Sequence, residues 1–138
     1  MRRLRERTEA ATAGVEEPLE RVKRAIHAYL GFFAERPQCV ELLIQERAQF
    51  KNRKKPTYFQ YREVWVQGWR DLYRDLIAEG RVRDVPVERI TDTIHDLLYG
   101  VIFTNYFTGP RKPADEQARD VTDIVFHGIL REAKENDE

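Results

Sequence analysis

The sequence has one cysteine, no excess charge of either sign and no long apolar run. The single Cys39 excludes an internal disulfide and gives no sign of an oxidising compartment. The 24 basic and 24 acidic residues cancel, whereas a domain that grips phosphates carries a clear basic excess. No apolar run reaches membrane-spanning length, and no apolar segment follows the basic N-terminus. We therefore predict a cytoplasmic, single-domain protein of 138 residues with neither membrane nor DNA as a direct partner.

The chain also lacks any sustained alternation of apolar and polar residues, which excludes a sheet. It has helical periodicity instead, divided by prolines just before and glycines just after each periodic segment. Proline has no N–H to lose at a helix start, and glycine adopts the left-handed conformation of a helix end. This pattern predicts an all-α fold, a six-helix orthogonal bundle, with helices at about 2–13, 17–35, 38–50, 57–79, 86–107 and 114–134.

The fourth predicted helix contains the stretch YFQYREVWVQGW (58–69), which has five aromatic residues. At 100° per residue, the large apolar side chains of this helix share one face. Its cations lie mostly on the other face, unlike a nucleic-acid stacking platform, where rings and cations are interleaved. The pattern therefore predicts a buried aromatic face, which either packs a solid core or forms the wall of a pocket.

The last two predicted helices have more apolar surface than one subunit of this size can cover. Their apolar stripes widen to two sides, and each helix carries a glycine that would allow another helix to approach closely. We therefore predict a symmetric homodimer closed by a four-helix bundle. The candidate interface residues are Gly100, Phe103, Tyr106, Phe126, Gly128 and Leu130.

This layout resembles the C-terminal regulatory domain of the tetracycline-repressor-like (TetR) family of bacterial transcriptional regulators. The resemblance rests on the helix order and on three segments that flank or follow the aromatic helix. These segments are RPQCVELLIQERAQF (36–50), ITDTIHDLLYGVIFTNYFTG (90–109) and EQARDVTDIVFHGIL (116–130).

The resemblance implies a repressor that a small, largely apolar effector releases from DNA. In that family an N-terminal helix-turn-helix domain binds operator DNA. Residues 1–13 resemble the connecting helix that follows this domain, and no helix-turn-helix pattern is visible. Operator DNA would therefore be bound only through an N-terminal domain that these residues do not contain. The chain is then a fragment, has a start codon set too far downstream, or is a natural regulator without this domain.

The resemblance also implies that the middle helices line a ligand pocket. Two charged residues, Glu46 and Arg47, lie within the apolar pattern of the third helix. They either pair with charges on neighbouring helices or face the pocket and orient a polar group of the ligand. The predicted apolar walls are Phe33, Tyr61, Trp65, Trp69 and Phe103.

The sequence contains no nucleophile–base pair, phosphate-binding glycine loop or CxxC motif, so we predict no enzyme, no metal and no cofactor. Asp92, His95 and Asp96 have a spacing that metal ligands use, but Asp96 turns toward solvent. Two alternatives stay open. One is a helical protein-interaction module with a solid core, and the other is a small metal protein or enzyme that uses Asp92, His95 and Glu46.

Overall fold

The computed structural model describes residues 1–52 and 54–131, and these residues form six α-helices without a strand. The first five helices each begin and end within one residue of the predicted positions. The predicted all-α fold is confirmed. None of these helices combines the length and the apolar character needed to cross a bilayer. The helices are α1 (Arg2–Thr12), α2 (Pro18–Glu35), α3 (Pro37–Gln49), α4 (Thr57–Ala78), α5 (Val87–Thr108) and α6 (Ala114–His127).

Prolines mark the start of five helices, because a proline there sacrifices no intrahelical hydrogen bond. The start of α2 has a second device: the Glu17 carboxylate accepts hydrogen bonds from the backbone N–H groups of Leu19 and Glu20, at 3.2 and 2.7 Å. The prolines are the first residues of α2 and α3 (Pro18, Pro37) and the residues just before α4, α5 and α6 (Pro56, Pro86, Pro113).

The end of α6 differs from the prediction. The helix ends at His127, and Gly128 has a φ of 70°, in the left-handed region, while its N–H bonds to the Ile124 carbonyl at 2.8 Å. The predicted helix to residue 134 and the mid-helix role of Gly128 are therefore wrong. Leu130 follows outside the helix with 87% of its surface exposed, and residues 132–134 lie outside the described ranges. Glycine adopts this conformation without steric cost, so it ends the helix although the apolar period continues.

The core forms around α2, which packs against α1, α3, α5 and α6. α4 packs most closely on α5 and contributes Leu76, which has no exposed surface. Burial of such a continuous apolar cluster is the main favourable contribution to folding. The buried apolar side chains of α2 are Val22, Ile26, Ala28, Leu30, Phe32 and Phe33.

Two pairs of polar side chains hold terminal helices on their neighbours. Arg7 of α1 donates two hydrogen bonds to the Glu35 carboxylate at the end of α2, at 2.6 and 2.9 Å. The amides of Asn105 and Gln117 exchange hydrogen bonds between α5 and α6, at 2.8 and 2.9 Å. Because two parallel bonds fix orientation as well as distance, these pairs set the register of α1 on α2 and of α6 on α5.

We expect Leu76→Ala to lower the free energy of unfolding by about 2–5 kcal/mol, because a fully buried leucine loses its contacts and leaves a cavity. The matched control is Leu42→Ala on α3, where 60% of the side chain is exposed and the change should stay within about 0.5 kcal/mol. Urea denaturation followed by circular dichroism measures both values. Equal losses in the two variants would contradict this assignment of the core.

Candidate functional site

A cavity of about 680 Å³ lies between α1, α2, α4 and α5. Leu4 and Thr8 of α1 and Val22 of α2 lie on one side, and Ile94 and Leu98 of α5 close another. The volume falls within the range of small-molecule pockets, about 300–1,000 Å³. The protein-interaction alternative, by contrast, assumes a core without such a cavity.

The aromatic face of α4 forms a wall of the cavity. Trp65, Trp69 and Tyr73 recur at four-residue spacing, so they lie on one side of the helix and all line the cavity. Tyr58, about two turns before Trp65, is 6% exposed and lines it from deeper in the core. The face therefore combines the two roles that the sequence left open, since some of its rings pack the core and others form the wall.

Two tyrosine hydroxyls meet inside the cavity. The Tyr29 and Tyr58 hydroxyl oxygens are 2.6 Å apart, which joins α2 to α4 by a hydrogen bond. Burial raises the pKa of Tyr29 well above its ordinary value and the pKa of Tyr58 to about 12. Both phenols are therefore protonated at neutral pH, and each carries a hydrogen that can be donated.

Arg62 brings a positive charge to the same end of the cavity. Its side chain is 16% exposed, and Nη2 donates to Asp96 Oδ1 at 2.7 Å and to the Asp92 carbonyl oxygen at 3.4 Å. The charge acts on both tyrosines, because it opposes the burial that raises their pKa values. This end of the cavity is consequently polar within apolar surroundings, and the arginine of the ion pair is the partner that lines it.

Two ring nitrogens of the cavity lining are buried without a hydrogen-bond partner in the described part of the chain: Trp65 Nε1 and His95 Nδ1. Burial, and next the Arg62 charge, lowers the pKa of His95 to about 4, so the imidazole is neutral at pH 7. Because nearly all buried polar groups are paired in native proteins, these two unpaired nitrogens are exceptions within the cavity lining.

At the rim of the cavity, α1 touches α4 through Arg5. The Arg5 guanidinium carbon lies 5.7 Å from the centroid of the Trp65 ring, and Nε bonds to Glu9 at 2.7 Å. Trp65 also contacts Tyr61, whose ring centroid lies 5.2 Å away. The Trp65 side chain therefore connects the cavity with the first helix of the chain.

The structure places the predicted ligand-binding residues in different parts of the domain. Trp65 and Trp69 line the cavity, whereas Tyr61 lies behind Trp65 with 36% of its surface exposed. Phe33 packs in the core around α2. Phe103 faces a second, more open hollow of about 520 Å³ between α3 and α5.

The two predicted polar residues of α3 lie away from the main cavity. The Glu46 carboxylate accepts hydrogen bonds from the N–H and hydroxyl of Thr57, at 2.8 and 2.7 Å, and so holds the start of α4. Arg47 donates to the Lys51 carbonyl at 3.2 Å and lines the second hollow. Glu46 thus makes a structural contact with Thr57, an uncharged residue, at the start of α4.

Sequence reasoning missed Tyr29, Arg62 and the covering helix α1 as parts of the site. A signal for Arg62 was available, because it follows Tyr58 by four residues and precedes Trp65 by three, on the edge of the aromatic face. The contribution of α1 has no such signal, since it depends on how α1 folds back over α4.

The residues with metal-ligand spacing are separated by their own partners. Asp92 bonds to Arg70 at 3.5 Å and Asp96 to Arg62 at 2.7 Å. The part of the chain that the structure describes contains no group of three His, Cys, Asp or Glu side chains that could hold a metal ion.

The predicted interface residues lie on or after α5 and α6. Gly100 lies within α5, and a Cβ placed on it would meet no atom within 4 Å. Phe103, Tyr106 and Phe126 are half-buried against the core. Large apolar side chains remain exposed beside them: 69% of Phe107, 48% of Ile124, 40% of Leu97 and 87% of Leu130.

Comparison with known proteins gives one match, to a protein family. The sequence profile of the family described as "Tetracyclin repressor-like, C-terminal domain" covers residues 15–129. The chain therefore belongs to the TetR-like C-terminal domains and has the regulatory domain of this family of transcriptional regulators. No curated protein and no solved structure matches it.

We expect the free energy of unfolding to fall as the pH drops from 6.5 toward 4. In this interval His95 binds a proton in the unfolded chain but stays neutral in the folded chain. The folded pKa is lowered, so this stability is present above pH 6.5 and lost below it. His95→Gln should therefore reduce the loss of unfolding free energy between pH 7 and pH 5 by on the order of 1–2 kcal/mol, measured in urea.

The control for this pH experiment is His127→Gln, at an exposed position at the end of α6. It should leave the wild-type dependence on pH unchanged over the same interval. If the unfolding free energy of His95→Gln falls between pH 7 and pH 5 by as much as that of the wild type, the imidazole is not held neutral beside the cavity.

Proposed function

We propose that the chain is the ligand-sensing and dimerisation domain of a TetR-family repressor that a small, largely apolar effector releases from DNA. The observation that carries this proposal is the cavity of about 680 Å³ with Trp65 and Trp69 in its wall. Apolar walls with few polar groups are typical of small-molecule sites. Catalysis, a metal and a cofactor have no part in this function.

The helix α1, which covers the cavity, would connect it with a DNA-binding domain. Residues 1–13 resemble the connecting helix of the family, so operator DNA would be bound by an N-terminal domain attached to α1. Arg5 lies on the Trp65 ring, and Arg7 is bound to Glu35. An effector that moves Trp65 would therefore shift α1 and the spacing of two DNA-binding domains. The effector acts only if it binds one of the two arrangements more tightly.

Dimerisation through α5 and α6 supplies the second DNA-binding domain. Exposed Phe107, Ile124 and Leu97 lie along these helices, and the open space at Gly100 would accept a helix from the partner. Large exposed apolar side chains of this kind are typical of interaction sites. A twofold axis would then place α5 and α6 of both subunits in a four-helix bundle, with Phe103, Tyr106, Phe126 and the segment from Gly128 to Leu130 beside it.

We expect the neutral fluorescent probe N-phenyl-1-naphthylamine to bind in the cavity and Gly68→Leu to weaken this binding by at least about tenfold. Gly68 lines the cavity, and a Cβ there meets no atom within 4 Å, so the leucine takes up ligand space without a clash. Gly100→Leu is the matched control in another helix and should bind the probe like the wild type. A wild-type protein that does not bind apolar probes is the result expected of a solid interaction module.

Sedimentation equilibrium tests the dimer with the same two variants. We expect the wild type to be a dimer at micromolar concentration and Gly100→Leu to raise the dimer dissociation constant by at least about tenfold, because its side chain would keep the partner helix away. Gly68→Leu should leave the dissociation constant unchanged. A monomeric wild type at tens of micromolar would contradict this part of the proposal.

A further inference from the structure

The polar end of the cavity offers more hydrogen-bond donors than the protein itself uses. The Tyr29 and Tyr58 hydroxyls carry two hydrogens, and only one of them can lie in the bond that joins the two oxygens. The other hydrogen has no acceptor among the described residues. A ligand atom with a lone pair at this place would accept it, whereas a purely apolar ligand would leave it buried and unpaired.

Arg62 adds donors and a charge beside the tyrosines. Both of its hydrogen bonds use Nη2, so Nη1 and Nε stay available to donate. Its partner Asp96 is 73% exposed, while the Arg62 side chain is 16% exposed. The positive charge therefore lies deeper in the protein than the negative charge that accompanies it, and it is screened less by solvent.

The other charged side chains that line the cavity lie at its rim. Arg5 and Glu9 pair with each other and are 51% and 62% exposed. Asp71 is 72% exposed and pairs with Arg74, and Arg21 and Asp75 are also exposed. Among the described residues, Arg62 lines the cavity while its partner Asp96 does not, so a cationic ligand group at the inner end would meet the arginine first.

We propose that the molecule bound in this cavity is an apolar or aromatic carboxylic acid. Its carboxylate would accept hydrogen bonds from the Tyr29–Tyr58 pair and from Arg62, and its body would lie against Trp65 and Trp69. This inference rests on the proposed function, because it names the chemistry of the effector that the cavity senses. The neutral His95 imidazole and the unpaired Trp65 N–H lie in the same lining and add no negative charge to oppose the acid.

Three probes with the same biphenyl body separate charge from apolar contact: biphenyl-4-carboxylate, biphenyl-4-carboxamide and biphenyl-4-methylammonium. Their affinities for the full chain are measured by isothermal titration calorimetry at pH 7.5. We expect the carboxylate to bind at least about tenfold more tightly than the ammonium, with the amide between them. Equal affinities, or a preference for the ammonium, would overturn the inference and leave the cavity and the proposed function standing.

Two arginines of α4 provide a matched pair of variants. Arg62→Gln removes the charge at the cavity and should lower carboxylate affinity by at least about tenfold while changing amide affinity by less than about threefold. Arg70→Gln is the control, because Arg70 also pairs with an aspartate of α5, has a side chain 19% exposed and does not line the cavity. Tyr29→Phe should reduce the preference for carboxylate over amide as well.

The outcomes distinguish the two levels of the proposal. If none of the three probes binds and Gly68→Leu changes nothing, the sensing function fails together with the inference. If Arg70→Gln weakens carboxylate binding as much as Arg62→Gln, the effect comes from the overall charge of α4, and the assignment to the inner end of the cavity is overturned. Circular dichroism of each variant checks that the helical fold is retained.

Discussion

The cavity depends on how the neighbouring helices pack against the aromatic face of α4. This face packs closely on α5 over part of its length, but α1 and α2 approach it through the tips of long side chains. Arg5 reaches the Trp65 ring, and Tyr29 reaches Tyr58 by a single hydrogen bond. Contacts between side-chain tips keep the helix backbones apart, so the space between them is not filled, and a cavity results.

A polar cluster inside an apolar wall carries an energetic penalty unless its groups are paired. The Tyr29–Tyr58 bond and the Arg62–Asp96 pair meet part of this requirement. One tyrosine hydroxyl hydrogen and the Nη1 and Nε groups of Arg62 remain without an acceptor within the residues that the structure describes, and these donors would favour a ligand with a carboxylate. The same feature that lowers the stability of the isolated domain would thus provide the binding energy for an acid, as in the balance between stability and function of many binding sites.

Much of the fold was predictable because its signals are local. A proline at or just before the start of five helices, together with the 3.6-residue period, predicted where these helices begin to within one residue, as Pro56 and Pro86 illustrate. Gly128 was misread because the apolar period runs through it, and only its backbone conformation shows that it ends the helix. Glu46 could not be assigned either, since its bond to Thr57 crosses a loop whose path no periodicity describes.

The sequence by itself determined the helices, the aromatic face of α4 and the apolar surplus on the last two helices, because each depends on side chains a few residues apart. Only the tertiary structure decided which rings line the cavity, that α1 covers it, and that Tyr29 and Arg62 meet there. These contacts join residues of different helices, among them Tyr29 and Tyr58, which lie 29 positions apart. Their geometry is decided by how whole helices pack, which the pattern along one helix does not specify.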